Sequence, residues 1–179
     1  IMFDGSAGDA DENIADTAQI VKIAHSFGAT VEGEIGHVGE ASTGDNAVTD
    51  NYTTPEEAID FIKKTGVDAL AVAIGTAHGV YKTKPQLNLE RLREIRARID
   101  TPLVLHGGSG VPDEEITAAI AAGIRKINFG TDLCYSFLDA VFATSREKVG
   151  IDLFMKEAVA SVSAFATSKI RLLGAAGRA

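Results

Sequence analysis

The stretch Pro102 to Gly110, PLVLHGGSG, decides the fold. Its apolar run, Leu103 to Leu105, is too short for a helix and is ended by glycines, so the pattern predicts a buried parallel strand. His106 follows at the carboxyl end of this strand, where ligands bind in α/β barrels and doubly wound sheets. The histidine is a candidate metal ligand or proton carrier. A strand-end histidine with a purely structural role fits this motif, taken alone, about as well.

The glycines after the histidine indicate a bound phosphate. Gly107, Gly108 and Gly110 allow the backbone to approach a ligand closely and to direct its N–H groups at it.

A second strand repeats the arrangement. Residues 69–79, ALAVAIGTAHG, form an apolar run that leads through small residues to His78 and Gly79. Imidazole is the commonest metal ligand in proteins, and catalytic zinc sites often collect ligands from separate elements. His78 and His106 therefore predict a shared metal site, in which zinc–nitrogen bonds of about 2.0–2.1 Å hold the two rings within about 4.5 Å of each other.

The composition is that of one domain with a substantial core, since 45% of the 179 residues are hydrophobic. A net charge of −8, without a basic patch interleaved with aromatic residues, argues against nucleic acid as a partner. No apolar run reaches the length of a membrane span, and no secretory signal is recognisable. The single Cys134 cannot form an internal disulfide, so we expect a cytoplasmic protein with no membrane partner.

Strand and helix patterns alternate along the chain. The predicted strands cover 1–3, 29–35, a run from about 68, 103–105 and 126–129, and the predicted helices cover about 11–26, 55–65, 87–98, 113–122, 133–149 and 153–173. This order predicts right-handed βαβ units and a parallel sheet. A TIM barrel needs about 250 residues, so we predict an α/β fold that is the second part of such a barrel, with a smaller open sheet as the alternative. Residues 1–179 are taken as a single domain with a helical tail over about 133–179.

A long polar segment, about residues 36–52, lies between the second strand and the next helix. Loops of this length in compact domains are usually active-site lids or disordered, and we favour a mobile active-site loop. His37 in this loop is taken as a solvent-facing or substrate-side residue, and the role of Glu40 is open. In the preceding strand, Glu32 and Glu34 share one face because side chains alternate along a strand.

Five motifs in this order resemble the C-terminal part of the class II, metal-dependent ketose-bisphosphate aldolases, which act on fructose 1,6-bisphosphate or tagatose 1,6-bisphosphate: MFDGS, VEGEIG, DALAVAIGTAHGVY, PLVLHGGSG and KINFGTD. The resemblance runs from Ile1 to about Asp132, and the helical tail is similar in kind. It implies strands four to eight of a TIM barrel plus C-terminal helices. It also implies a carbon–carbon lyase that reversibly forms dihydroxyacetone phosphate and glyceraldehyde 3-phosphate, with zinc stabilising the enediolate.

The resemblance also implies the site residues. His78 and His106 match two of the three zinc-binding histidines of the family, and Asp4 and Glu34 match the carboxylates of a second metal position. The groups that match its substrate-binding and phosphate-binding residues are Gly79, Gly107, Gly108, Ser109, Asn128, Phe129, Gly130 and Thr131. The implied cofactor is Zn²⁺, with room in the family pattern for a second divalent metal and a monovalent cation. The implied partners are a small phosphosugar substrate and further copies of the chain in a homodimer or homotetramer.

Two functional groups of the family have no counterpart in this chain, namely the third zinc histidine and the proton-transferring aspartate. We expect both upstream of Ile1, and we expect the chain to be a segment of a longer enzyme. Expressed alone, these residues should then be aggregation-prone and inactive, because both edges of the sheet would be uncovered.

The alternative is a non-catalytic phosphosugar-binding barrel subunit that supports a catalytic partner. It fits a chain without the upstream Asp-His pair, but it gives no physical reason to keep both His78 and His106.

Overall fold

The computed structural model describes residues 1–36, 52–77, 79–81 and 85–178. The chain forms two compact units, Ile1–Asn128 and Phe129–Ala179. The first unit holds five strands: β1 (Met2–Phe3), β2 (Glu32–Ile35), β3 (Ala69–Val72), β4 (Leu103–Leu105) and β5 (Ile124–Ile127). All neighbouring strands are parallel, and the sheet order is β1-β2-β3-β4-β5. The parallel α/β arrangement predicted from the sequence is therefore confirmed.

Four helices connect these strands: α1 (Ala10–Ser26), α2 (Pro55–Thr65), α3 (Leu89–Arg96) and α4 (Asp113–Ala122). Three of them begin at a side-chain cap. Asp9 caps α1, Asn88 caps α3, and Thr54 forms a capping box with Glu57 at the start of α2. These side chains satisfy N–H groups that the first helical turn leaves without a partner. The starts of these three helices are therefore specified locally, by the polar residue that precedes each of them.

The core of this unit is apolar and centred on β4. All three residues of β4 have no exposed surface, which is what the uninterrupted apolar run predicted. The large side chains buried with β4 come from the neighbouring strands, from the segment just after β3, and from α3 and α4: Leu70, Ile74, Leu92, Ile95, Ile116 and Ile124.

Alternation along β2 separates the two faces of the sheet. A Cβ atom on Gly33 would lie 2.9 Å from the ring of Phe61 in α2 and 3.0 Å from Val67, so Gly33 faces the helices. Its neighbours Glu32 and Glu34 therefore point to the opposite face.

Small residues on β3 give the two glutamates space. Glu32 pairs with Ala69 and Glu34 pairs with Ala71, and paired residues of parallel strands lie on the same face. The short alanine side chains allow longer side chains from β2 to cross over β3.

β5 begins at Ile124, two residues earlier than predicted, because Arg125 and Lys126 conceal the start of the strand in the apolar pattern. Its register against β4 is irregular. Leu103 pairs with Ile124, but Val104 pairs with Lys126. The extra residue, Arg125, forms a bulge, and the bulge turns Lys126 to the face that Val104 occupies.

The second unit consists of α5 (Thr131–Ala143) and α6 (Ile151–Leu172), which pack against each other. α5 ends before the predicted residue 149, because Thr144 is extended and its hydroxyl donates to the carbonyl of Ala140 at 2.7 Å. The Lys169 ammonium lies 5.1 Å from the centre of the Phe129 ring, within cation–π range. Within the described ranges of the chain, no helix has both the length and the apolar character to span a membrane.

Replacing Gly33 with valine tests the close packing of β2 on α2. The new side chain would collide with Phe61 and Val67, so we expect the free energy of unfolding to fall by about 1–3 kcal/mol. Urea denaturation of the intact protein measures the change. Gly8→Ala is the control, because the nearest described atom to its new Cβ is 3.5 Å away, and its effect should stay within about 0.5 kcal/mol. A Gly33→Val variant as stable as the wild type would contradict this packing.

Candidate active site

The candidate active site is a charged cluster buried at the carboxyl ends of β2 and β4. His106 directly follows β4 and is 3% exposed. Its Nδ1 lies 2.8 Å from Oε2 of Glu34, and its Nε2 lies 2.9 Å from Oε1 of Glu32. Both glutamates are also buried. The two carboxylates of β2 therefore hold the imidazole from both sides.

A cation from a third strand completes the cluster. The Lys126 ammonium donates to both carboxylate oxygens of Glu32, at 3.0 and 2.9 Å. Strands β2 and β5 are three places apart in the sheet, roughly 14 Å if the sheet were flat. Only long side chains that point to the same face close such a distance, so the contact confirms the direction that the bulge gives Lys126.

The two carboxylates determine the charge of His106. Burial alone lowers the pKa of His106, but the hydrogen bonds and charges of Glu34 and Glu32 outweigh burial and raise that pKa above its usual value. A neutral imidazole has one N–H and one lone pair, so it satisfies only one of two flanking carboxylates. The protonated ring satisfies both.

The same donor set suits a metal ion. Zinc binds imidazole nitrogen and carboxylate oxygen, and a ligand histidine gives up a proton when the metal binds. A divalent cation beside His106 and Glu34 would therefore take the place of one proton between them. The chemistry of these residues fits the predicted cofactor.

The other predicted carboxylate ligand, Asp4, is exposed and reaches Glu34 only through an intermediate residue. The Ser6 N–H donates to Oδ1 of Asp4 at 2.9 Å, and the Ser6 hydroxyl donates to Oε1 of Glu34 at 3.4 Å. Asp4 and Glu34 are thus linked but are not in direct contact in the described structure.

The partner predicted for His106 lies outside the described residues. That partner is His78. His37, Glu40 and the rest of the predicted loop from 37 to 51 also lie outside the described residues. Among the residues that the structure does describe, no three His, Cys, Asp or Glu side chains are placed to hold a metal ion. The metal site shared by His78 and His106 stays a prediction.

The glycine turn after His106 is held by backbone hydrogen bonds. The Gly108 N–H donates to the carbonyl of Asn128 at 3.0 Å, and the Asn128 N–H donates to the carbonyl of Leu105 at 3.1 Å. Gly107 has φ 66°, and a Cβ there would lie 2.5 Å from the carbonyl oxygen of Ala77, so only glycine fits. The structure thus brings the turn and Asn128 together. It also engages the Gly108 N–H, so a phosphate would need other donors of the turn.

The remaining predicted substrate residues are spread over both units. Ser109 is buried in the turn, and Gly79 has a positive φ of 93°. Phe129, Gly130 and Thr131 belong to the second unit, where Thr131 is the first residue of α5. That these residues bind one phosphate together stays a prediction.

Tyr81, which the sequence analysis did not single out, connects the segments that follow β3 and β4. Its hydroxyl accepts from the Ala77 N–H at 2.6 Å and lies 2.7 and 3.0 Å from the carbonyl oxygens of Ala77 and Gly107, which share its proton. Burial raises the pKa of Tyr81, which keeps the hydroxyl protonated. The only signal for this role was the place of Tyr81 at the end of the motif that contains His78.

The hydroxyl of Thr76 is buried without a hydrogen-bond partner in the described structure, and Thr76 is 3% exposed. Thr76→Val removes this hydroxyl at nearly constant shape, so we expect the free energy of unfolding of the intact protein to rise by about 1 kcal/mol. Urea denaturation gives the value.

Thr53→Val is the matched comparison for Thr76→Val. The Thr53 hydroxyl donates to the carbonyl of Ile35 at 3.1 Å and accepts from the Ala73 N–H at 3.0 Å. Its loss should lower the free energy of unfolding by about 1–3 kcal/mol. Equal destabilisation by both variants would show that Thr76 has a partner in the folded protein.

Comparisons with known proteins place the whole chain among aldolases. The family model described as fructose-bisphosphate aldolase class-II matches residues 1–178. The Escherichia coli (strain K12) protein YdjI, described as uncharacterized, is 42% identical over 180 residues, which is 100% of this chain and 64% of YdjI.

Solved structures show the same relationship. The crystal structure of the YdjI aldolase from Escherichia coli K12 matches with a TM-score of 0.86 and 40% identity, over 99% of this chain and 62% of that one. A fructose-bisphosphate aldolase from Campylobacter jejuni matches with a TM-score of 0.75 over 97% of this chain and 59% of that one, and at 24% identity it shows the fold alone. The chain spans about three-fifths of the length of these relatives and has the parallel strands of their TIM barrel. It belongs to the class-II fructose-bisphosphate aldolase family.

Proposed function

We propose that the protein is a carbon–carbon lyase that reversibly cleaves a ketose 1,6-bisphosphate to dihydroxyacetone phosphate and glyceraldehyde 3-phosphate, with zinc as its cofactor. The observation that carries the proposal is His106, buried between Glu32 and Glu34 at the carboxyl end of β4 and followed by a glycine turn. Family membership supports an aldol reaction. Fructose 1,6-bisphosphate and tagatose 1,6-bisphosphate are the two candidate substrates.

His106 and His78 would hold the zinc ion, and Glu34 and Asp4 a second metal position. When bound, zinc supplies a Lewis acid that withdraws electron density from the ketose carbonyl. The chain's own part is to hold the ring of His106 in a fixed orientation, which the two carboxylates of β2 do. An aspartate outside these residues would transfer the hydroxyl proton.

The glycine turn would bind the phosphate of the dihydroxyacetone phosphate half. Gly107 and Gly110 have φ of 66° and 74°, conformations that curve the backbone sharply. Since the Gly108 N–H donates to Asn128, the phosphate would be bound by other N–H groups of the turn. The Ser109 hydroxyl lies in the same turn and would add a donor. Backbone bonds to Asn128 and the hydroxyl of Tyr81 hold the turn in place before any ligand arrives, which lowers the ordering cost of binding.

Cleavage of the two ketose bisphosphates by the intact protein tests the reaction. We expect dihydroxyacetone phosphate to form from at least one of them, the activity to disappear after zinc is removed with a chelator, and the activity to return with added zinc. His106→Asn should lose most of its bound zinc, because it removes a ligand nitrogen. A zinc-independent activity would contradict the proposal. Binding of the sugar phosphate without cleavage would instead support the non-catalytic barrel subunit.

Ser109→Ala tests the phosphate site apart from the metal site. Loss of one hydrogen bond to a charged phosphate should weaken the binding of dihydroxyacetone phosphate by roughly tenfold to 100-fold, with zinc content unchanged. Product inhibition measures the binding, and metal analysis measures the zinc. Ser26→Ala is the control, because the Ser26 hydroxyl only donates to the carbonyl of Ile23 at the exposed end of α1. An equal loss of zinc and phosphate binding would point to a folding defect and not to a phosphate ligand.

A further inference from the structure

We propose that the ion pair of Glu32 and Lys126 decides which nitrogen of His106 faces the metal. The inference rests on the proposed function, because it takes His106 as a metal ligand. In this assignment Nε2 keeps its proton and donates it to Glu32, and Nδ1 is the nitrogen that binds the metal. Glu32 and Lys126 are then positioning residues that act through His106.

Glu32 already has a cationic partner other than His106. The Lys126 ammonium contacts both of its oxygens, at 3.0 and 2.9 Å. Glu32 is 8% exposed, so little water reaches it to compensate its charge. The ammonium gives Glu32 a countercharge and a fixed orientation that do not depend on His106.

Glu34 is in the opposite situation. Among the described residues, its only cationic partner is His106 itself, and its other oxygen receives the Ser6 hydroxyl at 3.4 Å. Glu34 is therefore the carboxylate that lacks a second countercharge in the described structure, and a dication on the Nδ1 side would supply one.

The Nε2 side is unfavourable for a second cation. Nε2 of His106 and the Lys126 ammonium approach the same atom, Oε1 of Glu32. A metal ion on Nε2 would therefore stand beside the Lys126 ammonium. The Lys126 side chain is 49% exposed, so water weakens the repulsion between the two cations, but at such a short separation the repulsion still disfavours this side. Electrostatics thus favour the metal at Nδ1 and the proton at Nε2.

The bulge in β5 is what brings Lys126 into this position. In an unbroken register Arg125 would pair with Val104 and take the inward place, whereas the bulge gives that place to Lys126. A carboxylate that accepts the second N–H of a metal-binding histidine fixes the tautomer and the orientation of the ring, and losing such a partner typically lowers metal affinity by roughly tenfold to 100-fold.

Nitrogen NMR of the intact, zinc-loaded protein labelled with ¹⁵N-histidine tests the assignment directly. The signals of His106 are identified by their loss in His106→Gln. We expect Nδ1 to carry the metal and Nε2 to carry the proton. The opposite pattern, with zinc on Nε2, overturns the proposal, and this measurement needs no change at Glu32 or Lys126.

Zinc affinity, measured by competition with a chromophoric chelator, tests the role of the ion pair. Lys126→Met should lower the affinity by roughly tenfold to 100-fold, whereas Lys126→Arg should keep it within about threefold, because the guanidinium restores the charge. Lys148→Met is the matched control, since it removes an ammonium from an exposed pair with Glu157 at 3.8 Å, and it should not change the affinity. An unchanged affinity in folded Lys126→Met overturns the proposal.

Two further measurements separate the possible failures. Circular dichroism of the metal-free variants shows whether they fold. If Lys126→Met does not fold, the zinc affinity of Glu32→Gln and the wild-type NMR pattern test the proposal in its place. A protein that binds zinc through Nδ1 but cleaves no ketose bisphosphate would defeat the proposed function and leave this inference intact. Zinc that binds without His106 would overturn the inference.

Discussion

Two hydrogen bonds between one buried imidazole and the two carboxylates that accept from it organise the carboxyl edge of this sheet. A buried charge without a partner destabilises a protein by several kcal/mol, so such groups persist only in compensated sets. Here two carboxylates, Glu32 and Glu34, are matched by the ammonium of Lys126 and by the ring of His106, whose pKa their hydrogen bonds and charges raise. The balance of charge explains how so polar a cluster exists directly beside the fully buried apolar residues of β4.

The charged cluster depends on small side chains at the neighbouring positions of β2 and β3. Gly33 lets β2 approach α2 closely, and the short side chains of Ala69 and Ala71 leave the face of β3 open to the glutamates. Larger residues at these three positions would push β2 outward or block the crossing. The polar contacts of the site are thus made possible by small residues on β2 and β3.

A second set of contacts, made mostly by the backbone, holds the glycine turn independently of any charge. Asn128 bonds in both directions to the end of β4, and Tyr81 connects the segments after β3 and β4. These hydrogen bonds hold the turn in place without a ligand. The charged cluster around His106 and the glycine turn that follows it are therefore held by separate sets of contacts.

Much of this arrangement follows from the sequence by itself, since it depends on neighbours in the chain. Caps such as Thr54 with Glu57 specify helix starts, the run before His106 specifies a buried strand, and two-residue alternation places Glu32 and Glu34 on one face. The order of the motifs specifies the family. Each of these signals is read over a few residues, where local hydrogen bonding and side-chain periodicity decide the structure.

The rest was decided by pairing between distant segments. Lys126 belongs to the cluster because of a bulge against β4, and no pattern within β5 reveals that bulge. The Gly108 N–H, predicted as a phosphate donor, is engaged by Asn128 twenty residues away. Strand register and loop contacts depend on which residues meet across space, and a one-residue change of register reverses which side chains face the site. For that reason the sequence determined which chemical groups reach this edge of the sheet, and only the tertiary structure decided which of them meet.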